Sequence, residues 1–250
     1  MKLLCLVFAM PLFLILAKAE IKNGYVDVEN ARVALRSLKL LTSSDTTLNE
    51  KQSRNVNDRI KVLTDYINYF EITNILLNEF TRIVPDLFAD INGIKDKAGS
   101  PTDVYVKFIP MNQVDGNHPG ATYIQYKQGD DTNYSEYGAN TVSIKIWIMD
   151  TSLTILAHEF GHVKYEVPNL SDYQNYQKAN PNINRSYRGH NPSDLSGQSA
   201  STYEKKFSRT YSDYLKSTMS RRLSPFKIAR QVREANEVVT SAKEQFATAK

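Results

Sequence analysis

The stretch that decides how this chain folds is Thr141-Val142-Ser143-Ile144-Lys145-Ile146-Trp147-Ile148-Met149-Asp150-Thr151-Ser152-Leu153-Thr154-Ile155-Leu156-Ala157-His158-Glu159-Phe160-Gly161-His162-Val163. In its first nine residues Ser143, Lys145 and Trp147 alternate with Ile144, Ile146 and Ile148, the period of a strand that buries one face. Asp150 or Thr151 is placed to cap a helix directly after the strand. There the apolar positions become Leu153, Ile155, Leu156, Ala157, Phe160 and Val163, the spacing of an amphipathic helix. That helix carries His158-Glu159-Phe160-Gly161-His162. Residues four apart share a helical face, so both imidazoles reach one ion, and the carboxylate beside the first faces the ion's open side. The pattern suits zinc hydrolysis: two neutral imidazoles hold the metal, and the carboxylate takes a proton from water whose pKa the metal lowers toward about 7. Gly161 costs about 1 kcal/mol in a helix interior and calls for a reason such as close packing.

Upstream, Glu29 to Leu41 reads as a short helix and Thr42 to Asn49 as a polar break. From Ser53 to Val84, apolar residues at Val56, Ile60, Leu63, Ile67, Phe70, Leu77 and Phe80 keep nearly a helical period, with Asn74 the polar exception. The pattern predicts one long packing helix, with a break near Glu71 as an option and Pro85 as its end. Val104 to Ile109 and Thr122 to Lys127 read as two more strands, so the three strands suggest a small, mostly antiparallel sheet. His118, within Asp115-Gly116-Asn117-His118-Pro119-Gly120, reads as a turn residue. A polar loop is expected from beyond Pro168 to about Gly197. Helices over Ala200 to Ser217 and Pro225 to Ala249 complete an α+β chain with no internal repeat.

With His158, Glu159 and His162 in place behind a helix and strands, the sequence resembles the zincin metallopeptidases. The likeness covers roughly Ser53 to Pro168 in architecture and five residues in motif. It implies that His158 and His162 are metal ligands, that Glu159 is the general base, and that Thr141 to Met149 is the edge strand along which a peptide substrate lies extended. A catalytic zinc has three protein ligands plus water. The metzincin branch would need Gly and His where Tyr165 and Pro168 stand, which excludes it. Glu204, 42 residues after His162 on a helix whose apolar face is Ala200, Tyr203 and Phe207, resembles the third ligand of the gluzincin branch. Its surroundings, Tyr203-Glu204-Lys205-Lys206-Phe207, depart from the thermolysin pattern. Two alternatives lie in Gly189-His190-Asn191-Pro192-Ser193-Asp194-Leu195-Ser196-Gly197. His190 is a candidate ligand, or a catalytic donor to the oxyanion of the tetrahedral intermediate. Asp194 is a candidate ligand of aspzincin kind, a partner orienting His190, or a helix cap.

Residues 1–19 read as a cleaved secretory signal: Lys2, an apolar run from Leu3 to Leu16, then Ala17-Lys18-Ala19. Fourteen residues fall short of the roughly 20 needed to span a bilayer. Its removal takes the net charge from +4 to +2 and takes Cys5, the only cysteine. The remaining domain, residues 20–250, then uses no disulfide in an oxidising compartment. With 41% apolar and 23% charged residues and no basic block, the composition excludes a rod or a fully disordered chain and argues against a nucleic-acid partner. The expectation is a secreted or periplasmic, zinc-dependent metallopeptidase acting on a peptide or protein substrate, without a membrane anchor once the signal is removed. The alternatives are a binding or structural protein on a zincin scaffold, and a toxin or effector protease specific for one substrate.

Overall fold

A reciprocal capping box opens the longest helix. The Gln52 N–H donates to Asn49 Oδ1 and the Asn49 N–H donates to Gln52 Oε1, both at 3.0 Å. The helix, α2 (Glu50–Ile83), then runs to the residue before the Val84-Pro85 junction, without a break at Glu71. The computed structural model describes residues 19–44, 48–110, 118–125, 135–179 and 194–217. Within these, α1 (Val28–Ser44) packs on α2, and Pro85 occupies the first turn of a short helix, α3 (Pro85–Ile91), that the sequence pattern does not reveal.

Four strands make one sheet: β1 (Ile21–Asn23), β2 (Asp103–Ile109), β3 (Gly120–Gln125) and β4 (Thr141–Trp147), in the order β1-β2-β4-β3. The sheet is mixed, not mostly antiparallel. β1 pairs with β2 and β2 with β4 in parallel, and only β3 runs antiparallel to β4. Thr141 to Met149 is accordingly an interior strand, and the edge beside it belongs to β3. Apolar alternation reports which face of a strand is buried; it carries no information on strand direction or neighbours. Val142, Ile144 and Ile146 are fully buried on the inner face of β4, and Ser143 on its other face is covered as well. At the other end of the sheet β1 stops short, and α2 completes the edge of β2. There the Phe108 N–H donates to Thr73 Oγ1 at 3.2 Å, and the Tyr25 hydroxyl donates to the Phe108 carbonyl at 2.9 Å. Asn74, the polar interruption in the α2 pattern, accepts from Asn23 Nδ2 at 2.8 Å and so ties α2 to β1.

The helix α4 (Ser152–Ala179) begins where β4 ends. Ser152 Oγ accepts from the Met149 N–H at 2.8 Å and lies 2.7 Å from the Trp147 carbonyl, so this side chain, one residue beyond the expected caps, locks strand to helix. The helix does not give way to a loop at Pro168. It bends at Asn169, where φ is −116° and ψ 16°, and continues to Ala179, because a proline removes one helical hydrogen bond and the turns on either side make the rest. The last described helix, α5 (Leu195–Ser217), lies along α4. Phe80 of α2 meets Phe160 of α4 edge-on at 5.3 Å and stacks on Phe207 of α5 at 5.4 Å, with all three rings fully buried. This aromatic trio fixes three helices relative to one another directly beneath the histidines. Among the described residues no helix is long and apolar enough to cross a membrane. The proposed signal and the expected helix over Pro225 to Ala249 lie outside the described residues, Ala19 excepted.

Candidate metal centre

His158 and His162, one turn apart on α4, bring their Nε2 atoms within 3.2 Å of each other, with the rings at 74°. Each ring is held from behind. His158 Nδ1 lies 3.0 Å from Glu204 Oε2 on α5, and His162 Nδ1 lies 2.7 Å from Ser196 Oγ, also on α5. Ser196 donates to Glu166 Oε1 at 2.6 Å. A carboxylate only accepts, so Nδ1 of His158 is the donor; Ser196 gives its one proton to Glu166, so Nδ1 of His162 is a donor too. When both rings are neutral, Nδ1–H leaves the lone pair of each on Nε2. Two lone pairs 3.2 Å apart repel unless a proton or a cation lies between them. Tetrahedral zinc with Zn–N bonds of about 2.0–2.1 Å holds two nitrogens about 3.3–3.4 Å apart, so the observed separation fits that ion.

Glu159 is 5% exposed, a buried carboxylate at the junction of α4 and the edge strand. Thr122 Oγ1 of β3 donates to Glu159 Oε2 at 2.6 Å. β3 can come this close because residue 120 has no side chain: a Cβ there would lie 2.5 Å from Ile155 Cγ2 and 2.8 Å from Glu159 Oε1. Gly120→Ala is therefore expected to push the edge strand off α4 and to cost about 1 kcal/mol or more. Urea unfolding would show this as a lower midpoint at unchanged m; an unaltered midpoint would mean that β3 and α4 are not packed as described.

The third-ligand candidates fall in three different places. Glu204, whose side chain is 46% exposed, meets His158 at Nδ1, the outer nitrogen, and not at the point where the two Nε2 atoms converge. The gluzincin likeness implies direct ligation by Glu204, and the structure places its carboxylate on the outer nitrogen of the His158 ring. The geometric cause is that α5 approaches the histidines from the Nδ1 side. Asp194, 3% exposed, accepts from the Ser196 N–H at 3.1 Å and so caps the first turn of α5. His190 lies outside the described residues. Among the described residues no three His, Cys, Asp or Glu side chains gather as a metal-binding group.

Gly161 has the tight packing its position called for. A Cβ there would run into the Ala200 Cα and lie 2.7 Å from both the Ala200 nitrogen and the Ser199 carbonyl oxygen. The two helix backbones touch at this point, and that contact brings Ser196 and Glu204 to the histidines. Tyr203, one residue before Glu204, donates to Asp90 Oδ2 at 3.0 Å. Its phenol pKa is raised by burial and by Asp90, which keeps it a neutral donor tying α5 to α3.

Thr122, Glu166 and Ser196 are the site residues that sequence reasoning missed. Glu166 had a readable signal, because it follows His162 by four residues and so shares its face. Ser196 and Thr122 had none, since each is joined to α4 only by the fold. No family model, no curated protein and no solved structure matches the chain.

Proposed function

We propose that this protein is a zinc-dependent hydrolase of peptide bonds, with His158 and His162 as metal ligands and Glu159 as general base. The observation that carries the reading is the pair of Nε2 atoms 3.2 Å apart, each on a ring whose Nδ1 is held by an oxygen. Zinc bound there supplies a Lewis acid for the carbonyl oxygen and lowers the pKa of its water toward about 7.

The chain's own groups do the rest. Glu159 is held at Oε2 by Thr122, which fixes that oxygen of its carboxylate. It accepts the proton of the attacking water and returns it to the leaving amine. Its burial keeps bulk water from competing for that proton. β3, at the end of the sheet among the described residues and antiparallel to its neighbour, takes over the role that the zincin likeness implied for Thr141 to Met149: an extended substrate adds to the strand whose Thr122 holds Glu159. Peptide as the substrate class rests on the zincin likeness and on this edge strand beside the carboxylate. The signal read from residues 1–19 of the sequence supports a secreted or periplasmic enzyme.

Elemental analysis of the purified chain from Glu20 onward tests the reading. About one zinc per chain is expected, and a metal-free protein after exposure to zinc at neutral pH would sink it. The same assay on Glu204→Ala, His190→Ala and Asp194→Ala names the third ligand as the variant that loses the ion. From its place at Nδ1, Glu204→Ala is expected to weaken zinc binding by about 10- to 100-fold without abolishing it.

A further inference from the structure

Zinc ligation by His162, which rests on the proposed hydrolase function, depends on a side chain from the other helix. Ser196 sits fully buried in the first turn of α5, between His162 Nδ1 at 2.7 Å and Glu166 Oε1 at 2.6 Å. The carboxylate itself is 3.6 Å from His162 Nδ1, beyond direct hydrogen-bond reach, so the hydroxyl relays its effect. Both the histidine and Glu166 side chains are 13% exposed, and this low exposure strengthens each link of the chain. The serine is fixed in turn: its own N–H is taken by Asp194 Oδ1, and the Gln198 N–H closes the first helical turn on the Asp194 carbonyl.

We propose that Ser196 and Glu166 are positioning residues for the second histidine. Ser196 Oγ accepts from Nδ1–H of His162 and donates to Glu166, which fixes the ring's tautomer and orientation and raises the basicity of Nε2 through a neutral intermediary. Asp194 serves the same assembly one step further out, by holding the turn that presents Ser196. The metal site is therefore completed by the docking of α5 on α4. Neither the His158-to-His162 motif nor any local pattern in α5 contains this dependence.

The test uses the whole chain and zinc alone, titrated in competition with a chromophoric chelator, with far-UV circular dichroism to confirm that each variant is folded. Ser196→Ala is expected to weaken zinc binding about 10- to 100-fold, and Glu166→Gln, which keeps an oxygen for Ser196 but no charge, by less. The double variant should match Ser196→Ala within about twofold, because Glu166 acts through the hydroxyl. Equal affinity of Ser196→Ala and the unaltered chain overturns the relay while leaving the zinc reading intact. Independent, multiplying losses in the double variant overturn the order of the relay. Failure of the unaltered chain to bind zinc overturns the zinc reading itself. Should Ser196→Ala not fold, an unchanged affinity in Glu166→Gln is the result that refutes the proposal.

Discussion

Glu159→Gln is expected to retain zinc and lose about 10²- to 10⁴-fold in the rate of peptide hydrolysis, the range that a positioned general base supplies. The substitution is close to isosteric, and the amide oxygen can still accept from the Thr122 hydroxyl that holds Oε2 at 2.6 Å. Packing around the 5% exposed side chain is therefore preserved. What disappears is the ability to take a proton, since an amide oxygen is not basic near neutrality. The measurement is initial rate on a fluorogenic peptide mixture cleaved by the parent, with zinc content determined on the same preparations. A variant that keeps the parental rate would remove Glu159 from the mechanism. A variant that loses zinc would show that Glu159 contributes to holding the ion.

Gly161→Ala should be the most damaging small change to the scaffold. Helix propensity alone favours the substitution by about 1 kcal/mol, because alanine loses less backbone entropy than glycine. Against this stands a methyl group driven into the Ala200 Cα and within 2.7 Å of the Ala200 nitrogen and the Ser199 carbonyl oxygen. These are backbone atoms in the second turn of α5, which cannot step aside as a flexible side chain would. Relieving the overlap means separating two helices that also share the Phe80, Phe160 and Phe207 cluster, and overpacking of this kind costs about 1–3 kcal/mol and more when backbone is involved. The steric term wins, and net destabilisation of about 1–2 kcal/mol is expected. Zinc affinity should fall in parallel, because α5 carries Ser196 and Glu204 to the two outer nitrogens. Thermal unfolding and chelator competition read the two effects. A Tm at or above that of the parent would refute the backbone contact.

Much of the element content was legible because it is local. The apolar spacing up to Phe80 and the stop at Pro85 predict α2 within three residues of its observed start and one of its end. β2, β3 and β4 were legible from their β-branched and aromatic runs. Other elements were hidden for identifiable reasons. β1 is three residues long, too short for any period, and is held by Asn23 bonding to α2 and by parallel pairing with β2. The continuation of α4 past Pro168 runs through polar residues that read as loop. Strand direction was misread because hairpin-like loops between strands suggested antiparallel neighbours, whereas the chain places β3 outside β4 and leaves β2 and β4 side by side in parallel.

The candidate site divides in the same way. The sequence by itself determined that His158 and His162 share one face with Glu159 beside them, and that Gly161 needed a close neighbour, because one helical turn sets both facts whatever surrounds the helix. The tertiary structure alone decided what stands behind and beside those groups. Glu204 and Ser196 meet the histidines from positions 46 and 34 residues away, and Thr122 meets Glu159 across 37. Such contacts depend on how α5 and β3 pack against α4. The helical period encodes no information about that packing, so the edge strand, the ring-holding oxygens and the Ser196 relay emerge only when the helices and sheet are brought together.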